Sequence, residues 1–122
     1  MVGLSEDRFE YHLSVLEDWL RFPSVSADSA YRNDVVASGQ FIADRLAELG
    51  GDVTVCPTDG FPVVLARFGH NPSLKTVLIY GHYDVQPPDP LELWTSKPFV
   101  PVRRDGQLFA RGVSDDKGQI YC

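Results

Sequence analysis

The feature that most constrains the fold is a continuous apolar segment, TVLIY at residues 76–80, which is followed almost at once by His82 and Asp84. Continuous apolar character over a short run is typical of a strand covered on both faces, as in the middle of an α/β sheet. Turn residues at 69–73 separate this run from the preceding one. The sequence therefore predicts a buried central strand at residues 76–80.

Two amphipathic helices are predicted before the first strand. The first covers residues 5–22, with Ser5 as a plausible N-cap and Pro23 ending it, because proline disfavours helical geometry at the residue before it. The second runs from about residue 33 to 49 and stops at the glycine pair 50–51. The predicted core-facing residues are Phe9, Leu13, Leu16 and Leu20 in the first helix and Val35, Ile42, Leu46 and Leu49 in the second.

Shorter elements complete the predicted fold. Residues 52–56 alternate as a strand and residues 63–68 favour another. Asp105 and Gly106, between two apolar-leaning arms, predict a hairpin. The chain has 122 residues and 43% hydrophobic content, enough for one modest core, and no repeat or composition shift marks a domain boundary.

Net charge, the length of the apolar stretches and the cysteine content argue against several classes of protein and partner. The net charge of -6 argues against nucleic acid or an anionic membrane surface, since both require clustered Lys and Arg. No apolar stretch is long enough to cross a bilayer, and the start of the chain lacks the pattern of a signal peptide. Cys56 and Cys122 lack metal-site spacing and are expected to be reduced thiols. These features predict a cytoplasmic protein.

Two short motifs carry chemically useful side chains. His82 and Asp84 follow the predicted central strand, where ligands gather in α/β sheets, and in an extended chain they share one face. An imidazole is a common metal ligand, and a nearby carboxylate can fix its tautomer. Asp115 and Asp116 precede Lys117 in GVSDDKG. Each motif alone also fits a surface histidine, a solvated turn or a helix N-cap.

At these motifs the chain resembles the metallopeptidases and amide hydrolases of the M20 type, which include cytosolic dipeptidases, carnosinases, acetylornithine deacetylase and succinyl-diaminopimelate desuccinylase. The resemblance rests on FPSVSAD at 22–28 and on the segment 80–118, from YGHYDVQPPDP to SDDKG. It implies an α/β fold: the amino-terminal part of a zinc-peptidase-like catalytic domain, with a mixed, largely parallel sheet flanked by helices. Residues 1–122 are then an incomplete domain, without the lid or dimerisation domain.

The resemblance also implies roles for individual residues. His82 would bind one metal ion, and Asp84, the predicted catalytic residue, would orient its imidazole. Asp115 would bridge two divalent ions, most readily Zn²⁺, with Mn²⁺ or Co²⁺ also accepted, and the Asp115–Asp116 peptide bond would be cis. The family's Glu-Glu pair, which includes the general base, and its remaining ligands are expected beyond Cys122.

The function implied is hydrolysis of the peptide bond of dipeptides or short peptides by metal-activated water, in a full-length protein that could be a homodimer. An N-acyl amino acid deacylase of the same family is the alternative, and a catalytically inactive truncated fragment is a third possibility.

The remaining candidate residues are expected to have structural roles. His12 and His70 are expected not to be ligands, Trp94, Pro98 and Phe99 to pack, and Arg103 and Arg104 to form a solvated hairpin arm.

Overall fold

The computed structural model describes residues 5–69 and 71–122, in which three helices and four strands are formed. The prediction for His70 lies outside the described residues. Single 3₁₀ turns precede the second helix and follow residue 90. The helices are α1 (Glu6–Leu20), α2 (Arg32–Glu48) and α3 (Lys117–Tyr121), and the strands are β1 (Asp52–Cys56), β2 (Val63–Arg67), β3 (Val102–Arg104) and β4 (Gln107–Phe109).

Both long helices begin and end close to the predicted residues. Ser5 is the N-cap of α1 by backbone geometry, although its side chain makes no capping hydrogen bond. The last residue of α1 is Leu20, three positions before Pro23, which disfavours helical geometry at the residue before it. At the end of α2, Gly50 has a φ of 85°, a left-handed conformation that glycine adopts without steric cost.

The strands form two antiparallel hairpins. β1 pairs with β2 from Asp52 opposite Arg67, and β3 pairs with β4 through the two-residue turn Asp105–Gly106. Both turn residues have positive φ, 53° and 73°, as a type I′ turn requires. Helices and small sheets together confirm the α/β class. The described residues do not form the largely parallel sheet that was expected. The parallel pairing among them is the isolated bridge between Val25 and Val85.

The core lies where the C-terminal half of α1 meets α2 and the segments before α3. Trp19 is fully buried, stacks on Phe41 at 6.0 Å between ring centroids, and donates through Nε1 to Ser38 Oγ at 2.9 Å. Two predicted core positions are wrong, because Phe9 and Leu49 lie near helix ends that project beyond this contact and are 53% and 73% exposed. The buried apolar residues are Leu16, Trp19, Leu20, Val25, Val35, Ile42, Ala43, Val85 and Ala110.

The prediction of a buried strand at residues 76–80 is also wrong for this structure. The segment has no regular secondary structure, and the exposed fractions of Val77 to Tyr80 lie between 81% and 89%. A strand is stabilised by hydrogen bonds to a neighbouring strand, and neither sheet of the described residues includes this segment. The apolar pattern alone therefore does not produce a strand here.

The β3–β4 hairpin is tied to α1 by an ion-pair cluster. Arg103 is exposed, as predicted for a solvated arm, and it also pairs with Glu10 and Glu17 on the surface of α1. Trp94 packs as expected, with Arg111 over its ring and its Nε1 donating to the Pro88 carbonyl at 2.7 Å.

In the described ranges no helix is both long and apolar enough to cross a membrane.

Candidate metal centre

The backbone around His82 is held by hydrogen bonds from two serines. The carbonyl of Tyr83 accepts from Ser24 Oγ and from Ser38 Oγ, each at 2.9 Å. The N–H of Val85 donates to the Ser24 carbonyl, also at 2.9 Å. The segment that carries His82 and Asp84 is therefore attached to α2 and to the loop after α1.

The second motif forms the turn that leads into α3. The peptide bond between Asp115 and Asp116 is cis, as the resemblance implied. Asp116 Oδ2 accepts a hydrogen bond from the backbone N–H of His82 at 3.1 Å. Gly118 lies against the carbonyl of Val113 so closely that a Cβ there would be 2.0 Å from the oxygen. The Asp116 hydrogen bond brings the turn next to the segment that carries His82, and the close approach at Gly118 keeps the turn compact.

The structure brings together all three residues predicted for the site. The His82 imidazole lies between two carboxylates, with Nδ1 3.0 Å from Asp84 Oδ1 and Nε2 3.0 Å from Asp115 Oδ1. The His82 side chain is 38% exposed and that of Asp115 is 73% exposed. One edge of the imidazole is therefore held by the half-buried Asp84 carboxylate, and the other faces the more exposed carboxylate of Asp115.

This arrangement favours a positive charge between His82 and Asp115. Because the Asp84 carboxylate accepts a hydrogen bond, Nδ1 is assigned the proton in the neutral imidazole, which leaves a lone pair on Nε2. That lone pair and the Asp115 oxygen would repel each other unless a proton or a cation lies between them. Burial would lower the pKa of His82, but hydrogen bonds and negative charge from Asp84 and Asp115 outweigh burial and raise the pKa above its usual value.

The donor atoms fit a divalent metal ion. An imidazole nitrogen and a carboxylate oxygen are both ligands of Zn²⁺, and Mn²⁺ and Co²⁺ also accept mixed nitrogen and oxygen sites. The part of the chain that the structure describes contains no group of three or more His, Cys, Asp or Glu side chains placed to hold a metal. His82 and Asp115 would thus supply two ligands, fewer than the three protein ligands of a typical catalytic zinc site.

Lys117 has a role that the sequence does not indicate. Its side chain is completely buried, and Nζ donates to the carbonyls of Trp19 and Phe22, both at 3.0 Å. Burial lowers the pKa of this ammonium to about 7, although negative charge on Asp84 and Asp34 opposes the shift. Lysine is rarely buried, so residue type gave no signal for this contact. Lys117 links the turn at Asp115 to the C-terminal end of α1.

Ser26 is a second residue whose role the sequence does not indicate, although it lies in the FPSVSAD motif. Its hydroxyl donates to Asp84 Oδ2, the carboxylate oxygen that does not face His82. The spacing of Ser24 and Ser26, two residues apart, could have suggested that both side chains point to one side.

The other histidine of the described residues, His12, lies away from His82 in sequence, and its Nδ1 is 3.1 Å from the Tyr121 hydroxyl.

An imidazole that is held by one carboxylate and faces another is the arrangement expected of a metal-binding histidine, which a metal-dependent hydrolase requires. The comparison with family models agrees. Residues 78–122, which contain both motifs, match the model of Peptidase family M20/M25/M40. The chain belongs to this family.

Individual relatives extend the match to nearly the whole chain. The chain is 40% identical to the Cys-Gly metallodipeptidase of Schizosaccharomyces pombe, over 98% of its own length and 27% of the relative. The solved structure of human carnosine dipeptidase 1 superposes with a TM-score of 0.85 at 32% identity, over 92% of this chain and 26% of that one. Succinyl-diaminopimelate desuccinylase of Bordetella avium is 44% identical over 66% of this chain and 21% of the relative. The chain thus spans about a quarter of the length of its relatives.

Proposed function

We propose that residues 1–122 are the amino-terminal part of the catalytic domain of a metal-dependent hydrolase that cleaves dipeptides or short peptides. The observation that carries this proposal is the position of the His82 imidazole between Asp84 and Asp115. The dipeptidase relatives, which match over nearly the whole chain, support the substrate class. A cytoplasmic location remains a prediction.

Each carboxylate near His82 has a distinct part in the proposal. Asp84 accepts the hydrogen bond from Nδ1, which keeps the lone pair of Nε2 available as a ligand. Asp115 offers an exposed carboxylate with two oxygens, so it is suited to bridge two divalent ions, of which Zn²⁺ is the leading choice. Asp116 holds the backbone of His82 in place. When bound, two such ions would supply a Lewis acid and make hydroxide available near neutral pH.

The second candidate is a deacylase that cleaves the amide bond of an N-acyl amino acid. Its support is the 44% identity to a succinyl-diaminopimelate desuccinylase. That match covers 66% of the chain, whereas the match to the Cys-Gly metallodipeptidase covers 98%. We therefore favour the dipeptidase.

A direct assay separates the two candidates. The full-length protein, stripped of metal and then reloaded with Zn²⁺, Mn²⁺ or Co²⁺, is tested on Cys-Gly and β-Ala-His and on N-acetyl and N-succinyl amino acids. The proposal expects hydrolysis of dipeptides that depends on added metal and is abolished by a chelator. Faster cleavage of the N-acyl substrates would support the deacylase, and hydrolysis that persists without metal would overturn both.

A further inference from the structure

The loop between α1 and the first 3₁₀ turn, residues 22–26, contacts both halves of the candidate metal centre. Its Phe22 carbonyl accepts from Lys117, which follows the Asp115–Asp116 turn. Its Ser24 and Ser26 hydroxyls donate to the segment that carries His82, at the Tyr83 carbonyl and at Asp84. Ser26 can influence His82 without contacting it, because Asp84 lies between Ser26 and His82.

The two oxygens of the Asp84 carboxylate are used by different partners. Oδ1 lies 3.0 Å from His82 Nδ1, and Oδ2 accepts from Ser26 Oγ. A carboxylate rotates easily about its terminal bond, since that torsion has a broad energy profile. A hydrogen bond at each oxygen fixes the carboxylate plane, so Ser26 helps to determine the direction of the acceptor that His82 meets.

The position of Ser26 is itself well determined. Val25 is 1% exposed and forms the parallel bridge to Val85, and the Ser24 carbonyl accepts from the Val85 N–H. The hydroxyls of Ser24 and Ser26 both reach residues 83–84, the first at the Tyr83 carbonyl and the second at Asp84 Oδ2. The loop therefore holds the Ser26 hydroxyl beside Asp84 independently of the metal ligands.

We propose that Ser26 is a positioning residue for the metal centre: it orients Asp84, which in turn orients the His82 imidazole and so sets the affinity for metal. The proposal rests on the proposed function, because it assumes that His82 binds a divalent ion. A merely structural serine would stabilise the loop and leave metal affinity unchanged. The two roles differ in whether the effect of Ser26 passes through Asp84.

The test measures metal binding by the full-length apoprotein, without substrate. Co²⁺ is the probe, because its visible absorption reports the ligand geometry as well as occupancy. Ser26→Ala should weaken Co²⁺ binding by about 3- to 10-fold, less than the about 10- to 100-fold that is typical when a direct partner of a ligand is lost. Ser26→Thr, which keeps the hydroxyl, should have wild-type affinity. The matched control is Ser14→Ala, at an exposed helix position whose hydroxyl donates to the Tyr11 carbonyl in its own turn, and it should not change the affinity.

A double-mutant cycle identifies the route of the effect. In an Asp84→Asn background, Ser26→Ala should weaken Co²⁺ binding by less than about 2-fold, because the residue through which it acts has already been changed. An equal loss in both backgrounds, or an unchanged affinity in Ser26→Ala, would overturn the proposal. Ser26→Cys, with a similar size and only a weak donor, gives the same comparison if the alanine variant does not fold.

Co²⁺ binding and hydrolysis together show whether the role of Ser26, the proposed function or both are wrong. A wild-type protein that binds Co²⁺ but hydrolyses neither dipeptides nor N-acyl amino acids overturns the proposed function and leaves the Ser26 comparison intact. A wild-type protein that binds no Co²⁺ overturns both. A wild-type enzyme that hydrolyses dipeptides, with Ser26→Ala binding Co²⁺ normally, overturns the role of Ser26 alone.

Discussion

His82 and Asp115 face each other with Nε2 and Oδ1 3.0 Å apart, although 33 residues separate them in the chain. Two backbone contacts produce this relationship: Asp116 accepts from the N–H of His82, and Lys117 attaches the Asp115 turn to the end of α1. The geometry of the pair therefore depends on residues that do not themselves touch a metal.

Removing either member of the pair should remove metal from the full-length protein. His82→Ala deletes the imidazole ligand and Asp115→Ala deletes the exposed carboxylate, so we expect activity to fall by more than about 100-fold together with metal content. Metal analysis of dialysed protein measures the metal content, and a dipeptide assay measures the activity. His12→Ala and Asp59→Asn are the matched controls and should keep both properties. Normal metal content in either site variant would contradict the assignment.

Replacing Lys117 should destabilise the fold through the end of α1. Lys117→Met keeps the length of the side chain but removes the donor, which leaves the carbonyls of Trp19 and Phe22 without their buried partner. We expect the free energy of unfolding to fall by about 1–3 kcal/mol. Urea denaturation of the full-length apoprotein measures it, with Lys75→Met as a control at an exposed position. Equal midpoints for the two variants would show that the ammonium does not support the fold.

Adding a single methyl group at Gly118 should disrupt the turn that carries Asp115. The new Cβ would lie 2.0 Å from the Val113 carbonyl oxygen, a backbone atom that cannot move away without shifting the turn. We expect Gly118→Ala to cost at least about 2 kcal/mol of stability. In Gly60→Ala the nearest atom to the Cβ is Thr58 Oγ1 at 3.8 Å, so that control should change stability by no more than about 0.5 kcal/mol. Thermal unfolding of the two variants compares them, and a Gly118→Ala protein as stable as wild type would show that the turn can relax.

The elements that the sequence predicted correctly are those set by local chemistry. Helix stops at Pro23 and Gly50 and the Asp105–Gly106 turn depend on the φ values that those residues allow, so neighbouring residues suffice to place them. The proximity of His82 to Asp115 is not local. It was expected because the pieces resemble those of a known family, not because spacing revealed it.

The errors concern contacts between distant parts of the chain. The apolar run at 76–80 has the composition of a buried strand, but burial requires a neighbouring strand that composition does not supply. Arg103 could not be paired with Glu10 and Glu17 because more than 80 residues separate them. The buried position of Lys117 contradicts the usual exposure of lysine, and the carbonyls that make it tolerable come from the end of α1 and from the loop that follows it.

The 122-residue chain by itself should not hydrolyse dipeptides, even with added metal. In the proposed site His82 and Asp115 would supply two ligands, and the described residues hold no third acidic, histidine or cysteine side chain placed to complete the set. Asp84 and Asp116 are engaged with His82, at Nδ1 and at the backbone N–H, so neither is free to act as a general base. Metal should therefore bind weakly and be removed easily by a chelator. The measurement is hydrolysis of Cys-Gly and β-Ala-His by purified chain with Zn²⁺, Mn²⁺ or Co²⁺, beside the full-length protein. Chelator-sensitive turnover by the chain that is lost in His82→Ala would show that these residues contain a complete site.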